Sequence, residues 1–286
     1  MSTLVKQPRG GALEMTFRPD GRGRTVLSHL YRRVPIIVQQ ALYFDEQLPD
    51  MACVYILSSG GPTLEGDHSQ MAILLEPHSM VHISTGAATI VASMVGGRAS
   101  MRQHFVLREG SYLEWLPQPI VPSAGADYAT YAEIVADPTA SLFWSEMVTC
   151  GRLYHGERFD YRRYAATTIL KGTDGELLFC DNLALEPSYR SPEEWALLGG
   201  FSHLGSVVIL TPEEQTSELR EQIGPMVGPE MRMSVGEMAN HRGLVVRLVG
   251  NDTGDMLATI RELCSLVRQS VKGLPLQAEF PWRGAK

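Results

Sequence analysis

Residues 73–83 read ILLEPHSMVHI, and about 30 residues later residues 105–115 read FVLREGSYLEW. Each stretch has a short apolar run, a polar turn and a second apolar run. A third, more degenerate copy, IVADPTASLFW, occupies residues 134–144. A strand, turn and strand unit that recurs at this period predicts stacked β-layers or a coiled β-solenoid, in which each unit covers its neighbour. A plain meander or a β-sandwich would also produce this spacing.

The pattern of short strands extends over a large body, from Leu13 to about Leu185. Apolar runs there are broken by Gly, Pro, Asp and Asn, and sustained helical periodicity is hard to find. The clearest strand-like runs are residues 36–38, 54–57, 71–75, 81–83, 105–107, 112–116, 142–144 and 167–170. We therefore expect a mostly β fold.

Helical patterns occur late in the chain. Thr211 as a capping hydroxyl, Pro212 at the first helical position and a glutamate at the third predict a helix over about residues 212–223. A second helix is expected over about residues 254–273, where apolar residues recur on one helical stripe before a glycine. Residues 244–248, between the two helices, read as a buried strand.

These elements form an α+β portion over about residues 186–276, which follows the β-rich body of about residues 13–185 without a low-complexity linker. We therefore expect a single domain over residues 1–286. The N-terminus has no apolar signal-peptide region, and no segment approaches about 18 continuous apolar residues. The sequence thus predicts a cytoplasmic protein that does not associate with membranes.

Charge and cysteine content exclude two kinds of site. The chain has 25 Lys and Arg against 32 Asp and Glu, and this balance argues against a broad nucleic-acid-binding face. The four cysteines, Cys53, Cys150, Cys180 and Cys264, are far apart and contain no Cys-x-x-Cys pair. A structural zinc site is therefore not expected, and the thiols should be free and reduced.

No motif for catalysis stands out. The chain contains no Gly-x-Ser-x-Gly, no phosphate-binding loop with Gly-Lys-Ser/Thr and no His-Glu-x-x-His. The glycine-rich residues 60–67 are not followed by a helical pattern, so we interpret them as a turn. A competing hypothesis is a small-molecule enzyme or a carbohydrate-binding β-domain, in which Asp67, His82 and Glu114 would meet in a cleft.

Two sequence segments place charged residues next to apolar residues or between paired glycines. In LEWLPQ, residues 113–118, we expect Glu114 to face solvent and Pro117 to end the strand or place it at an edge. Further along, paired glycines surround an arginine and a glutamate. Their spacing predicts a tight turn that is locked by a charge-assisted hydrogen bond between Arg152 and Glu157.

The same segments resemble the UreD family of urease accessory proteins, called UreH in some species. LEWLPQ reproduces a signature of that family, and the matches keep the family's order through most of the chain. The chain departs from the family pattern where Pro62 and Glu65 replace glycines. The matching segments are residues 35–43, 61–67, 113–118, 151–152, 156–159 and 242–247.

The resemblance implies a mostly β protein, with short strands wound in a right-handed helical stack (a β-solenoid-like body) and two α-helices on its C-terminal side. It implies a non-catalytic chaperone of urease maturation. In that family the protein binds urease apoprotein subunits and UreF, which recruits the nickel-carrying GTPase UreG. Ni²⁺ would bind only in transit, without a fixed metal site or a permanently bound cofactor.

The resemblance also implies functional positions. Nickel would cross a water-filled passage lined by carboxylates, since oxygen ligands hold a divalent ion loosely enough to release it. The matching positions are Asp67, Glu146 and Asp181. The positions expected to shape turns or contact partners are Gly61, Gly66, Glu114, Trp115, Pro117, Gln118, Gly151, Arg152, Gly156 and Glu157.

Overall fold

The computed structural model describes residues 9–194, 197–239 and 241–277. The ends of the predicted domain, residues 1–8 and 278–286, lie outside the described residues. The helices are α1 (Glu213–Gln222) and α2 (Thr253–Lys272), and Leu153–His155 form a 3₁₀ turn. The strands in chain order are β1 (Ala12–Pro19), β2 (Thr25–Arg33), β3 (Ile36–Ile37), β4 (Ala52–Ser58), β5 (His68–Leu75), β6 (Met80–Thr85), β7 (Thr89–Val91), β8 (Ala99–Leu107), β9 (Tyr112–Leu116), β10 (Ile120–Pro122), β11 (Asp127–Ala136), β12 (Ser141–Thr149), β13 (Arg163–Gly172), β14 (Leu177–Leu185), β15 (His203–Leu210), β16 (Met226–Val227), β17 (Met231–Glu237) and β18 (Gly243–Gly250).

The strands form two sheets that enclose the main core. The first sheet has seven strands in the order β14-β13-β11-β8-β5-β1-β2. Its strands from β13 to β1 are parallel, while β14 and β2 are antiparallel at the edges. The second sheet has the order β16-β17-β18-β15-β12-β9-β6-β4-β3, with β7 and β10 paired beside it. Within the second sheet, β4, β6, β9 and β12 are parallel.

The repeated sequence unit is one coil of this arrangement. In each unit the first strand (β5, β8 or β11) lies in the first sheet, and the following strand (β6, β9 or β12) lies in the second sheet. Equivalent residues of successive units are register partners, so Ile73 pairs with Phe105 and Phe105 pairs with Ile134. About four such coils are stacked, with 47% of the chain in strands and 12% in helices. The predicted mostly β, solenoid-like fold with two helices is confirmed.

The largest core side chains also stack from coil to coil. Trp115 lies on Trp144 with ring centroids 5.1 Å apart and planes at 14°. Phe105 of the first sheet meets both rings edge-on, at 5.2 and 5.0 Å. Because Trp115 and Trp144 occupy matching positions in successive units, the repeat that sets the strand register also fills the space between the sheets. As predicted, β9 ends at Leu116, directly before Pro117.

The C-terminal portion extends the second sheet and covers its outer face. β15, β18 and β17 continue from β12 in antiparallel order. α2 begins after Asp252, whose carboxylate accepts the N–H of Asp255 at 2.9 Å, and ends before Gly273, which has φ 73°. This agrees with the predicted helix to within one residue. The buried stripe of α2 that packs on the sheet is Met256, Ile260, Leu263, Cys264 and Val267.

The N-terminus of α1 differs from the predicted cap. The Thr211 hydroxyl is buried and bonds the Thr216 hydroxyl at 2.8 Å, so it caps no backbone N–H. Pro212 occupies the N-cap position and lies outside the helix. The predicted capping hydroxyl is therefore wrong, although the helix lies within the predicted range. Among the described residues, no helix is both long enough and apolar enough to span a membrane.

Candidate functional site

Glu114 of the LEWLPQ segment lies on the face of β9 that α2 covers. Its side chain is fully buried, so the solvent-facing position predicted from the sequence is wrong. The reason is distant in the chain, because Arg268 of α2, 154 residues later, packs directly on this carboxylate. A strand pattern alone cannot show that a helix will cover its polar face.

A closed hydrogen-bond network surrounds Glu114. Nε and Nη2 of Arg268 donate to the two oxygens of Glu114, each at 2.6 Å. The Tyr112 hydroxyl donates at 2.6 Å, and Nδ1 of His82 donates at 2.7 Å. The remaining Nη1 of Arg268 bonds the carboxylate of Asp45. The network therefore joins β6, β9, α2 and the segment before β4.

These contacts hold Glu114 in its ionised form. Burial alone would raise the pKa of Glu114, but the hydrogen bonds from Arg268 and His82 outweigh burial and lower this pKa to about 2. Burial also raises the pKa of Tyr112, so its phenol remains a donor. Because the carboxylate and its donors satisfy one another inside the protein, we interpret the network as a structural tie between α2 and the sheet.

The competing cleft of Asp67, His82 and Glu114 is not formed. His82 and Glu114 are bonded to each other on the α2 side of the second sheet. Asp67 lies at the turn before β5, where its carboxylate accepts the N–H of Leu64 at 2.8 Å. None of the three residues lines either cavity between the sheets.

Two cavities lie between the sheets. The C-terminal cavity has a volume of about 560 Å³ and is lined by β12, β15, β17 and β18 on one side and by β13 and β14 on the other. The N-terminal cavity has a volume of about 440 Å³ and is lined by parts of β5, β8, β9 and β11 and by the loops near them. Among the described residues, Glu146 and Met147 line both cavities. Glu146 therefore lies where the walls of the two cavities meet, a position that we call the neck.

The carboxyl group of Glu146 has an unusual environment at this neck. The Thr168 hydroxyl donates to its Oε2 at 3.0 Å. Burial raises the pKa of Glu146 to about 7; the nearby charge of Asp181 adds to this rise, while Thr168 and Arg247 oppose it. Near neutral pH, this group therefore exchanges readily between its protonated and ionised forms.

Polar residues face each other across the C-terminal cavity in two rows. On the second sheet, Glu146, Ser206 and Arg247 are register neighbours on β12, β15 and β18. On the first sheet, Thr168 and Asp181 are register neighbours on β13 and β14. Thr168 bonds Glu146, and Nη2 of Arg247 lies 2.7 Å from Oδ1 of Asp181. The rows are thus linked twice across the cavity.

Asp67, the third carboxylate predicted for a passage, lies apart from this pair. It is half-buried beside the N-terminal cavity, which Tyr128 lines. Burial raises the pKa of Tyr128, and the charges of Glu146 and Asp67 raise it further, so both carboxylates act on one phenol. The structure therefore brings Glu146 and Asp181 to one cavity and leaves Asp67 near the other.

The remaining predicted positions fall into four groups, one of which is the turn after β12. Glu114 belongs to the tie with α2. Gly66 has φ 83° in the turn before β5, a conformation that favours glycine. The four positions that line the N-terminal cavity are Gly61, Trp115, Pro117 and Gln118.

The predicted turn after β12 is confirmed. Nε of Arg152 donates to Glu157 at 2.8 Å, and a second bond joins Nη2 to the same carboxylate. Glu157 also accepts the N–H of Ala124 at 3.0 Å. Gly151 and Gly156 have φ 135° and 76°, where an L side chain would be strained.

Sequence reasoning missed both arginines of these sites. Arg268 lies four residues after Cys264 on the apolar stripe of α2, and a charge within such a stripe could have indicated a buried partner. Arg247 lies within an otherwise apolar strand, which carries the same signal more weakly. Over the described ranges, no group of three or more His, Cys, Asp or Glu side chains is arranged to hold a metal ion.

A family model and several known proteins that are similar to this chain point to the same family. Residues 9–283 match the model of the UreD urease accessory protein family. Urease accessory protein UreD 2 of Brucella suis is 35% identical over 269 residues, covering 93% of this chain and 88% of the relative. The UreD proteins of Photorhabdus laumondii and Yersinia pseudotuberculosis are each 32% identical over 279 residues, covering 96% of this chain and 87% of theirs.

These matches extend over nearly the whole chain and include its β-rich body and both helices. The relatives are named as accessory proteins of urease, which supports a role in urease maturation. The chain belongs to the UreD family of urease accessory proteins.

Proposed function

We propose that this chain is a non-catalytic maturation factor that joins apo-urease to a UreF and UreG nickel-delivery complex and passes Ni²⁺ toward the urease active site. The observation that carries the proposal is the position of Glu146, a residue that lines both cavities between the sheets. A carboxyl group at such a neck is placed to contact any ion that moves from one cavity to the other.

The chemistry of the lining suits transit better than storage. Carboxylate and hydroxyl oxygens bind divalent cations more loosely than thiolate or imidazole clusters do. Glu146 and Asp181 contribute carboxylates to the C-terminal cavity, and Ser206 and Asn182 add neutral polar groups. Because the pKa of Glu146 is near 7, its ionised form is available to a cation at a small cost in deprotonation.

The surface supports a scaffolding role. Val95, Tyr154, Tyr189 and Val227 expose at least 84% of their accessible area, although each is a large apolar or aromatic residue. Large apolar side chains that are exposed to this degree are available to contact other proteins. We infer that these positions contribute to docking of UreF and of urease subunits in the cytoplasm.

Co-expression with a urease gene cluster tests the scaffold. A tagged full-length chain should recover UreF and urease subunits, with UreG present only when UreF is present. Failure to recover UreF would contradict the proposed assembly.

Replacement of Asp67 tests whether this residue, which lines neither cavity, contributes to the predicted passage. Asp67→Ala should leave the recovered complex intact but lower the nickel content of the urease that is formed, measured by elemental analysis. Unchanged nickel loading would remove Asp67 from the passage.

A further inference from the structure

A positively charged side chain lies in the C-terminal cavity. Alternate residues of β18 face opposite ways: Val246 and Leu248 pack in the cluster with α2, whereas Arg247 lines the cavity. Its Nη2 lies 2.7 Å from Oδ1 of Asp181 on the opposite sheet. Its Nη1 bonds the hydroxyl of Ser206. The guanidinium is therefore held from both sheets, by Asp181 of the first and Ser206 of the second.

This placement is unfavourable for a site that stores cations. Arginine remains charged at every physiological pH, and like charges repel most strongly where solvent is partly excluded. Asp181 is already neutralised by its ion pair with Arg247. Asp181, the other carboxylate in the lining of this cavity, is thus not free to hold a second cation until the arginine releases it.

We propose that Arg247 is a built-in counter-ion of the passage, which occupies Asp181 between transits and displaces the divalent cation onward, so that nickel does not settle there. This inference rests on the proposed function and adds to it a residue that determines how long the ion stays. Arg247 is a positioning residue, since it acts through Asp181.

The geometry provides a place for Arg247 during transit. Ser206 lies between Glu146 and Arg247 in the register of the second sheet, and it already bonds the guanidinium. When a cation takes the oxygens of Asp181, the bond to Ser206 keeps the guanidinium at the cavity wall. After the cation leaves, Arg247 needs only to restore its contact with Asp181, and the cavity returns to its resting charge.

Nickel binding to the full-length chain, in the complex in which it is recovered, tests the proposal. Affinity for Ni²⁺ alone is measured by equilibrium dialysis for the wild-type protein, Arg247→Gln and the double variant Arg247→Gln/Asp181→Asn. Arg247→Gln should bind Ni²⁺ at least about tenfold more tightly, because a repulsive charge is removed and a carboxylate is freed. The double variant should lose that gain.

The matched control is Lys171→Gln. Lys171 pairs with Glu133 at 2.6 Å, and the two side chains are 35% and 28% exposed, against 34% and 27% for Arg247 and Asp181. Neither residue of the control pair lines a cavity. Lys171→Gln should leave nickel affinity unchanged, and thermal unfolding of each variant establishes that it is folded.

Equal or weaker nickel binding by Arg247→Gln would overturn the proposal, as would a gain in affinity that persists in the double variant. A different result would show that the proposed function itself is wrong. In that case urease would load nickel normally when Glu146 and Asp67 are both replaced, whatever residue stands at position 247. The two failures are therefore distinguishable.

Discussion

Two glutamates on neighbouring strands of the second sheet, Glu114 fully buried and Glu146 half-buried, have opposite environments. Glu114 on β9 receives hydrogen bonds from Arg268, Tyr112 and His82, and its pKa is lowered to about 2. Glu146 on β12 receives one from Thr168, and its pKa is raised to about 7. The comparison shows that burial alone does not decide the charge of a carboxyl group. The presence or absence of a bonded cation decides it.

The difference in ion pairing distinguishes a glutamate that stabilises the fold from one that is a candidate for contact with an ion. Arg268 is 1% exposed and bonds Glu114 at both oxygens, which leaves no space for a ligand. Arg247 instead bonds Asp181, so Glu146, which lines both cavities, forms no ion pair within the part of the chain that the structure describes. We therefore propose that Glu114 stabilises the fold and that Glu146 acts in ion transit, and the following predictions test that proposal.

The largest effect is expected at Arg268. Arg268→Met removes the cation and leaves the buried carboxylate of Glu114 with hydrogen bonds from Tyr112 and His82 alone, which should lower the free energy of unfolding by about 3–5 kcal/mol. Urea unfolding of the recovered complex, followed by circular dichroism, measures this change. A loss below about 1 kcal/mol would contradict the structural tie, since that is the range of a solvent-exposed pair.

A smaller effect, with a defined pH dependence, is expected at Glu146. Its pKa is raised from 4.5 to about 7 on folding, so the folded state binds more protons than the unfolded state between these values. Its contribution to stability is therefore complete below pH 4.5 and is lost as pH rises through 7, by about 1–3 kcal/mol in total. Glu146→Gln should abolish this loss.

Unfolding of wild-type protein and Glu146→Gln at several pH values from 5 to 8 measures the difference between their slopes. Parallel curves for the two proteins would show that Glu146 is ordinarily ionised in the folded state. Glu133→Gln, which replaces a glutamate outside both cavities, is the control.

The smallest effect is expected at the turn after β12. Arg152 and Glu157 are bonded, but the Arg152 side chain is 38% exposed, so solvent screens the pair. Arg152→Gln should lower the unfolding free energy by less than either change above, because solvent screens this pair. A larger loss of stability in thermal or urea unfolding would mean that this turn contributes more to the stability of the fold than its exposure indicates.

Local patterns predicted the coils, because apolar runs and turns close in sequence specify each strand, turn and strand unit. Phe105 and Trp115 belong to one such unit, and their stacking with the next unit follows from the repeat. The buried state of Glu114 could not be read in this way, since its partner Arg268 is 154 residues away. Only the folded chain places α2 over β9.

The candidate passage, like the fold, could be predicted from the sequence only in part. The resemblance to UreD proteins indicated Glu146 and Asp181 as carboxylates of interest, but it gave no reason to place Arg247 between them. That contact depends on two different sheets meeting across a cavity, with Asp181 on β14 and Arg247 on β18. No spacing along the chain encodes such a contact.

The most direct test of the passage is the nickel content of urease matured with a Glu146→Ala chain, compared with the wild-type chain and the Glu133→Gln control. Recovery of UreF and urease subunits with each variant first establishes that the complex assembles. We predict that Glu146→Ala lowers nickel per urease active site severalfold, while Glu133→Gln leaves it unchanged. Full nickel loading with Glu146→Ala in an intact complex would contradict transit through the neck between the two cavities.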